Sequence, residues 1–475
     1  MASGSRCSLL EFVWWAFVLI LPKYQKIGTL GFAKFLFSGT LGDMSYIYRE
    51  LHQKLENQMI SYLDTGLPKG LILTGIVGSG KSTLIHQVLA DLSEKISIFT
   101  FNGDDSLFRQ KILEDSKYIY DHVSGKTTKK AIIFVDEIQK CPEVFDALKI
   151  AFDLGKYSFI VSGSNPAFLS TIAKKRLQRR ADQWFLLPLS LRELFYDQTA
   201  KKPASDFENI LWNIQNCHDV KIPDVELKPD FEKRISSFFL MGGLPLVNSA
   251  VSLEDKLREI RLTIERGFEL MSVDNNSVAE FTRVELAKLS GVEFTYKNIL
   301  EKSRIRKRDL INVVIDDLMN HGYLVKRKPL FLDSNRTSYL SIYSYTDPGV
   351  ITYLTGDLDV ESRLGRLVEG YVHARLFAHG YNYPLKSEIA YYKPYTIEEG
   401  DRLRYLPGEV DFVFTAGKRR IPMEVKTTHQ RSSIDVTKIS EFISKYKCPF
   451  GVVLYGGVPY VDKKNNLIYW PFWLI

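Results

Sequence analysis

A short glycine-rich segment has the residue types and spacing of a phosphate-binding loop. Residues 75–82 fit the pattern G-x-x-x-x-G-K-[ST] at every fixed position. In such a loop the glycines let backbone N–H groups surround phosphate oxygens, the lysine reaches the β- and γ-phosphates, and the hydroxyl holds Mg²⁺. The residues expected to bind ATP and its Mg²⁺ are Gly75, Gly78, Ser79, Gly80, Lys81, Ser82 and Thr83.

The residues on either side predict the strand–loop–helix order that this loop needs. Residues 71–74 form a short apolar run typical of a buried parallel strand. Residues 82–92 carry apolar side chains at helical spacing. The phosphates would then lie at the positive N-terminal end of a helix, which makes a chance glycine-rich turn the weaker alternative.

Two carboxylates follow a second apolar run at residues 131–135. Because parallel strands end at a common edge of the sheet, Asp136 is expected beside the nucleotide, where it would hold Mg²⁺ mostly through water. Glu137 would polarise the attacking water. After a third run at 157–161, Ser164 or Asn165 would contact the γ-phosphate or else form an ordinary turn.

A basic segment follows at residues 174–180, with five cations in seven positions. One of them is a candidate arginine finger, acting either within the chain or across a subunit interface of a homo-oligomer. The alternatives are a solvated basic face and a contact with DNA phosphates.

The C-terminal quarter holds a second set of chemically capable residues. Residues 409–414 and 420–426 read as a hairpin, and residues 365–377 as a helix that contains Glu369. Since residues i and i+2 of a strand share a face, Glu424 and Lys426 would point the same way and meet Asp411. Such residues suit metal-dependent cleavage of a phosphodiester bond, with Mg²⁺ or Mn²⁺ on the carboxylates and the lysine acting on water. The predicted metal ligands are Glu369, Asp411 and Glu424, and the predicted catalytic residues are Asp411, Glu424 and Lys426.

That second signal is less specific than the first. The pair E-x-K also occurs at residues 226–228 and 254–256, outside any apolar strand. A structural cluster without activity is therefore the alternative.

The middle of the chain predicts a winged helix. Helical patterns at 284–289, 295–300 and 310–320 precede Gly322 and a strand that begins at Tyr323. Residues 301–328 carry eight cations and four acids, mostly before the third helix or in the wing, where helix-turn-helix proteins contact DNA phosphates. A solvated basic rim on a subunit-packing domain is the alternative.

Several short motifs add a family resemblance. They are Asp-Glu-Ile-Gln-Lys at 136–140, Ser-Gly-Ser at 162–164, Pro-Leu-Ser-Leu-Arg-Glu at 188–193, Gly-Gly-Leu-Pro at 242–245 and Tyr-Thr-Asp-Pro-Gly at 345–349. From Met44 to the C-terminus the chain resembles prokaryotic AAA-type P-loop ATPases, whose C-terminal domain of unknown function is similar to PD-(D/E)xK nucleases. The resemblance implies that Arg180 is the finger. Arg179 stands where the family has glycine, and the phosphate loop lacks an arginine that the family often carries.

Length and composition set the outer limits. The chain has 475 residues, 45% of them hydrophobic and 25% charged, with a net charge of +7. These values exclude a disordered chain, a collagen-like repeat and a polytopic membrane protein. The four cysteines form no C-x-x-C pair, which is typical of reduced thiols in the cytoplasm.

The N-terminal extension, residues 1–43, is apolar. Its run at 9–21 is shorter than a membrane span needs. It is a weak membrane or partner anchor, a buried extra helix, or, as we favour, not part of the working protein, whose natural start would be Met44.

The predicted fold class is α/β, with a P-loop NTPase parallel sheet followed by a winged-helix domain and a restriction-endonuclease-like α/β domain. The predicted boundaries are 44–200 for the ATPase domain, 201–275 for a helical lid or linker, 276–355 for the winged helix and 356–475 for the nuclease-like domain. The expected function is ATP hydrolysis that drives action on DNA. The alternative is a nucleotide-dependent protein-interaction switch with an inactive nuclease fold.

Overall fold

The structure is a computed structural model, and it describes most of the chain after the N-terminal extension. The described residues are 47–195, 206–225, 230–273, 277–301, 308–331, 340–398, 402–406 and 408–475. The predictions for residues 1–43, and those for Lys302, Arg304, Arg306 and Lys307, lie outside these ranges.

The first region is a five-stranded parallel sheet with helices on both faces. Its elements are α1 (Glu50–Thr65), β1 (Gly70–Thr74), α2 (Lys81–Leu92), β2 (Ser97–Asn102), α3 (Ser106–Glu114), α4 (Tyr118–Ser124), β3 (Ala131–Asp136), α5 (Val144–Gly155), β4 (Ser158–Gly163), α6 (Pro166–Arg176), β5 (Ala181–Phe185) and α7 (Leu191–Phe195). The strand order is β2-β3-β4-β1-β5. Strands β1 and β4 are buried along their whole length, as expected for uninterrupted apolar runs between two helical layers. The α/β class and the parallel sheet are thus confirmed.

This strand order brings the predicted nucleotide residues to one edge. Strand β4 pairs with β1 on one side and with β3 on the other, all in parallel. The glycine-rich loop follows β1, Asp136 ends β3, and Asn165 follows β4. The carboxyl ends of adjacent parallel strands form the crevice in which ligands bind in such sheets.

The middle region is mostly helical and ends in a small sheet. Its elements are α8 (Asp206–Trp212), α9 (Phe231–Met241), α10 (Pro245–Ser249), α11 (Leu253–Glu269), α12 (Ser277–Lys288), β6 (Glu293–Phe294), α13 (Tyr296–Leu300), α14 (Arg308–Asn320), β7 (Leu324–Pro329), β8 (Ser341–Tyr345) and α15 (Pro348–Thr355). Strand β8 pairs antiparallel with both β6 and β7. The three helices α12, α13 and α14 are thus followed by β7 and β8, with the short strand β6 before α13. The assignment as a winged helix stays a prediction.

The C-terminal region extends the same sheet. Its elements are α16 (Leu364–Tyr381), β9 (Glu388–Tyr392), β10 (Tyr395–Glu398), β11 (Arg402–Tyr405), β12 (Val410–Ala416), β13 (Arg419–Val425), α17 (Thr437–Tyr446), β14 (Gly451–Tyr455), β15 (Tyr460–Asp462) and β16 (Leu467–Pro471). A nine-stranded sheet runs β15-β16-β14-β13-β12-β9-β7-β8-β6. It crosses the predicted boundary at residue 355, because β7 pairs in parallel with β9.

Three of the sequence motifs meet behind the glycine-rich loop. The backbone carbonyl of Gly243 accepts a hydrogen bond from Leu189 N at 2.7 Å. Gly243 N donates to Asp347 Oδ2, also at 2.7 Å. Burial raises the pKa of the Asp347 carboxyl to about 6, although its hydrogen bonds to backbone N–H groups act in the opposite direction. These two hydrogen bonds tie the first region, through Leu189, to two separate parts of the middle region.

Two further sequence expectations concern membranes and thiols. Within the described ranges no helix is long and apolar enough to cross a bilayer. Cys141, Cys217 and Cys448 are free thiols, and the first two are buried. Cys7 lies outside the described residues.

The close fit at Gly242 gives a test of this junction. Gly242 has φ +78°, and a Cβ atom on it would lie 2.0 Å from Asp347 Oδ1. Gly242→Ala is expected to cost about 3 kcal/mol or more, because left-handed strain adds to the loss of buried hydrogen bonds. The measurement is the midpoint of thermal unfolding.

Gly356→Ala is the matched control. Gly356 has φ +64°, but an added Cβ meets no described atom within 4 Å. Gly356→Ala should lower the free energy of unfolding by only about 1 kcal/mol, the cost of the left-handed backbone strain alone. Equal losses for the two variants would contradict the packing account.

Candidate functional site

The glycine-rich loop has a shape that only glycine permits at two of its positions. Gly78 and Gly80 have φ values of +77° and +91°. A Cβ atom on Gly75 would lie 2.2 Å from the carbonyl oxygen of Leu186, and one on Gly78 would lie 2.5 Å from Thr263 Cγ2. The loop is therefore packed against both β5 and α11.

Lys81 begins α2 and points back over the loop. Its Nζ donates to the carbonyl oxygens of Gly75 at 3.1 Å and Ile76 at 2.9 Å. Burial lowers the pKa of Lys81 to about 8, against the charges of Glu137 and Asp136. A buried ammonium whose hydrogen-bond partners among the described residues are neutral carbonyl oxygens is well suited to bind a phosphate anion.

Other loop residues fit the same ligand. The Ser79 hydroxyl is fully buried and has no hydrogen-bond partner among the described residues. Ser82 is half-buried and Thr83 exposed, both in the first turn of α2. Unpaired polar groups at a helix N-terminus are the usual setting for a bound phosphate.

The acidic pair lies beside this loop. Asp136 Oδ1 accepts a hydrogen bond from Glu137 N at 3.0 Å and another from the Ser162 hydroxyl. Glu137 has φ +50°, a left-handed conformation that is uncommon outside glycine, and its carboxylate accepts a bond from the Gln139 amide. Such strain is frequent at functional positions. In the sequence, Gln139 is recognised only as part of the motif at 136–140, and its hydrogen bond to Glu137 is not predicted from it.

The residues present fit a nucleotide-bound Mg²⁺. The Ser82 hydroxyl and the Asp136 carboxylate are the hard oxygen ligands that this ion prefers, and its remaining ligands would be phosphate oxygens and water. No group of three His, Cys, Asp or Glu side chains in the described part of the chain could hold a metal ion by itself.

Arg180 lies at the opposite end of the parallel strands from the phosphate loop. Its carbonyl accepts from Gly70 N at 3.1 Å, at the start of β1, whereas the phosphate loop follows the end of that strand. Its guanidinium donates to both carboxylate oxygens of Asp153, at 2.7 and 2.9 Å. This position does not allow Arg180 to reach the ATP site of its own chain. A role in a neighbouring subunit stays a prediction.

Arg49 is a residue that sequence reasoning missed. It is buried, and its guanidinium donates to Ser79 O at 2.7 Å, Leu187 O at 2.6 Å and Glu193 Oε1 at 2.9 Å. Burial acts to raise the pKa of Glu193, but the charges of Arg49 and Arg375 outweigh it and lower that pKa. An arginine at the start of an amphipathic helix is usually expected to be solvent-exposed. The only sequence feature that indicates a partner for Arg49 is Glu193, in the motif at 188–193.

The C-terminal residues also come together. Strands β12 and β13 pair with Phe412 opposite Met423, which places Asp411 beside Glu424. Asp411 Oδ2 accepts from Val425 N at 2.7 Å, and the Lys426 ammonium binds the Glu424 carboxylate. Burial, with the charges of Glu424 and Glu369, raises the pKa of Asp411 to about 8.

Two of the three predicted ligands suit a cation. Glu424 Oε2 is buried and has no hydrogen-bond partner among the described residues, and burial raises the pKa of Glu424. Crowded, desolvated carboxylates of this kind are stabilised by a positive charge. Asp411 and Glu424 therefore fit Mg²⁺ or Mn²⁺.

Glu369 is paired with a cation. It projects from α16, and its Oε1 accepts a hydrogen bond from the guanidinium of Arg327. Its role as a metal ligand stays a prediction. Arg327 lies on β7, is 1% exposed, and stacks on the Phe412 ring at 4.1 Å. The sequence interpretation had counted Arg327 among the cations available to DNA, and its burial removes it from that set.

Comparison with known families agrees with the first site. Residues 68–195 match the family described as an AAA domain. Residues 364–475 match the family described as a domain of unknown function (DUF4143). The chain thus contains an AAA-type P-loop ATPase domain. The similarity of its C-terminal part to nucleases stays a prediction.

Solved structures show more distant likeness. Cdc6p from Pyrobaculum aerophilum is 13% identical over 66% of this chain and 96% of that chain, with a TM-score of 0.28. A RuvB mutant from Thermogota maritima is 17% identical over 60% of this chain and 90% of that chain, with a TM-score of 0.30. No curated protein matches the chain. What the chain does is therefore inferred below from its own residues.

Replacing Glu137 tests the assignment of the catalytic base. Glu137→Gln is expected to lower the kcat of ATP hydrolysis about 100-fold or more, because general-base catalysis contributes at least that factor. Binding of ATP should stay within about twofold, since the Lys81 contacts remain. Steady-state hydrolysis measures kcat, and calorimetry with a slowly hydrolysed ATP analogue measures the binding affinity.

Glu143→Gln serves as the control, since Glu143 lies six residues further on and forms an ion pair with Arg176 at 3.9 Å. Unchanged turnover in Glu137→Gln would refute the assignment.

Proposed function

We propose that this chain is an ATP-driven protein that acts on DNA through a winged helix and a nuclease-like C-terminal domain. One observation carries the proposal: the helices and strands of residues 277–345 directly contact β5, the edge strand of the ATPase sheet. Gly322, between α14 and β7, lies so close to β5 that an added Cβ would be 2.8 Å from the Phe185 ring. Nucleotide binding and the winged helix are therefore mechanically connected.

Exposed cations support a contact with DNA. Lys326 and Lys328 project from β7, and Arg308 is exposed at the start of α14. Four more cations, Lys302, Arg304, Arg306 and Lys307, precede Arg308 in the sequence. Cations at the start of the third helix and in the wing are placed to neutralise phosphates.

The outward face of α14 argues against direct reading of bases. Its exposed residues include Asp309, Leu310, Val313 and Asp316. Base edges in the major groove are usually read by arginine, lysine, asparagine or glutamine. We therefore propose contact with the DNA backbone, independent of sequence.

The C-terminal cluster would supply hydrolytic chemistry. Asp411 and Glu424 would hold Mg²⁺ or Mn²⁺, and a bound ion would polarise a phosphate and lower the pKa of water. Lys426, beside Glu424, would orient that water and compensate charge on the phosphate. Arg180 would complete the ATP site of the next subunit in a homo-oligomer. We place the protein in the cytoplasm, where its free thiols stay reduced.

A second candidate function is a nucleotide-dependent protein-interaction switch with an inactive nuclease fold. Two observations favour it. The guanidinium of Arg327 already occupies one carboxylate of the cluster. Leu310 and Val313, which are 46% and 52% exposed on α14, suit a protein partner better than DNA.

Charge reversal in the wing separates these candidates. Lys326→Glu with Lys328→Glu is expected to weaken duplex DNA binding at least tenfold. The slope of log K against log salt should fall by about 2, since each lost phosphate contact removes about 0.9. Fluorescence anisotropy at several salt concentrations gives both numbers.

The control pair has the same change in charge. Lys463→Glu with Lys464→Glu alters two exposed lysines beside β15 and should leave the slope unchanged. Equal effects from the two pairs, or no DNA binding by the wild type, would favour the protein-interaction switch.

Cleavage is tested with plasmid and branched DNA in Mg²⁺ or Mn²⁺. Asp411→Asn is expected to abolish nicking. It should also weaken Mn²⁺ binding about tenfold or more by calorimetry without nucleotide, because losing a ligand costs at least as much as losing a second-shell partner. Glu388→Gln, an exposed carboxylate on β9, is the control. No cleavage and no Mn²⁺ binding by a wild type that hydrolyses ATP would make the C-terminal domain a structural or interaction module.

A further inference from the structure

A histidine from the middle region reaches the edge of the sheet at which the γ-phosphate would lie. Asn165 follows β4, between the phosphate loop after β1 and the Asp136–Glu137 pair after β3. Its side-chain Nδ2 lies 3.1 Å from Nε2 of His321. The two residues are 156 positions apart, and His321 belongs to the turn between α14 and β7.

The hydrogen-bond pattern fixes the role of each atom. His321 Nδ1 lies 2.9 Å from the backbone oxygen of Asp317 and 3.2 Å from its Oδ1, so Nδ1 carries the hydrogen. Nε2 is then an acceptor and takes a hydrogen bond from the Asn165 amide. This tautomer follows from the partners on each side of the ring.

The Asn165 amide is consequently held in one orientation. Its Oδ1 accepts from Phe168 N at 3.0 Å and caps α6. Its NH₂ group has two hydrogens, and His321 accepts only one of them. The other hydrogen remains to donate to an anion at the carboxyl edge of the sheet.

The turn that carries His321 is itself rigid. His321 is 4% exposed and Asp317 6% exposed. The Thr346 hydroxyl donates to Gly322 O at 2.8 Å, and Thr346 N donates to Tyr323 O at 2.9 Å. A displacement of Asn165 would therefore be passed to α14 and β7 rather than absorbed locally.

We propose that His321 is a positioning residue for ATP hydrolysis and that the chain Asn165–His321–Asp317 couples the γ-phosphate to the winged helix. The proposal rests on the ATPase function proposed above. With ATP bound, Asn165 donates one hydrogen to the γ-phosphate and the other to His321. After hydrolysis the phosphate contact is lost, and the bond to His321 alone no longer fixes the distance between α14 and the nucleotide. Because coupling is reciprocal, whatever binds α14 and β7 also changes the hydrolysis rate.

Four variants separate positioning from mere folding. His321→Leu removes the acceptor and keeps the bulk, whereas His321→Gln keeps an acceptor near the position of Nε2. Asn165→Asp keeps the cap of α6 but has no NH₂ group to donate. The double variant Asn165→Asp with His321→Leu measures the coupling between the two residues.

We expect His321→Leu and Asn165→Asp each to lower kcat about tenfold, the effect of one lost hydrogen bond of about 1.4 kcal/mol in the transition state. In His321→Leu the KM for ATP should stay within about twofold, and His321→Gln should recover most of the rate. In Asn165→Asp the KM should rise as well, because a carboxylate at this position would repel the γ-phosphate. The double variant should be no slower than the worse single variant. A general folding defect would instead change the melting temperature and leave His321→Gln as impaired as His321→Leu.

Hydrogen exchange in α14 tests the coupling without any DNA. In the wild type, the exchange rates of amides in Arg308–Asn320 should differ several-fold between ADP and a non-hydrolysable ATP analogue. In His321→Leu that difference should vanish. If the wild type hydrolyses ATP while both variants match it in kcat and in exchange, the inference is wrong and the ATPase proposal stands. A wild type that neither binds nor hydrolyses ATP would overturn the proposed function itself.

Discussion

The phosphate loop has no spare room, and the rest of the structure is arranged around that constraint. Its glycines face three different regions: Gly75 abuts the backbone that leaves β5, Gly78 abuts α11, and Gly80 lies against Pro245 and Arg49. A side chain at any of these positions would displace a neighbouring region. The loop is therefore the place where the sheet, the helical region and the N-terminal helix meet.

Buried charge holds this junction together and makes it specific. Arg49 and Glu193 form a desolvated pair that also satisfies backbone groups of the loop and of residue 187. Breaking such a pair costs about 3–5 kcal/mol, because one buried charge is left alone. Asp347 likewise accepts a hydrogen bond from the backbone N–H of Gly243, and burial raises the pKa of its carboxyl. An apolar contact would allow the regions to slide, whereas these directional bonds define one arrangement.

The middle region and the C-terminal region are equally hard to separate. Strand β7 belongs to the sheet of both, and its Arg327 enters the carboxylate cluster of the second. Sequence patterns placed a boundary at residue 355 because hydrophobic periodicity reports each strand alone and says nothing about its neighbours in the sheet. Strand β7 and the cluster are thus linked by backbone pairing and by an ion pair. Hydrogen bonds from Leu189 to Gly243 and from Gly243 to Asp347 join the first region to the middle region.

The sequence by itself determined whatever chemistry is contiguous or periodic. The loop at 75–82, the acidic pair after β3 and the shared face of Glu424 and Lys426 follow from spacing alone, since neighbouring residues must share a loop or a strand face. Only the tertiary structure decided the partners of Arg49, His321 and Arg327, and the sheet edge on which Arg180 lies. These pairings join positions 42 to 156 residues apart. A long side chain carries no local mark of its distant partner, because that partner is set by how the regions pack.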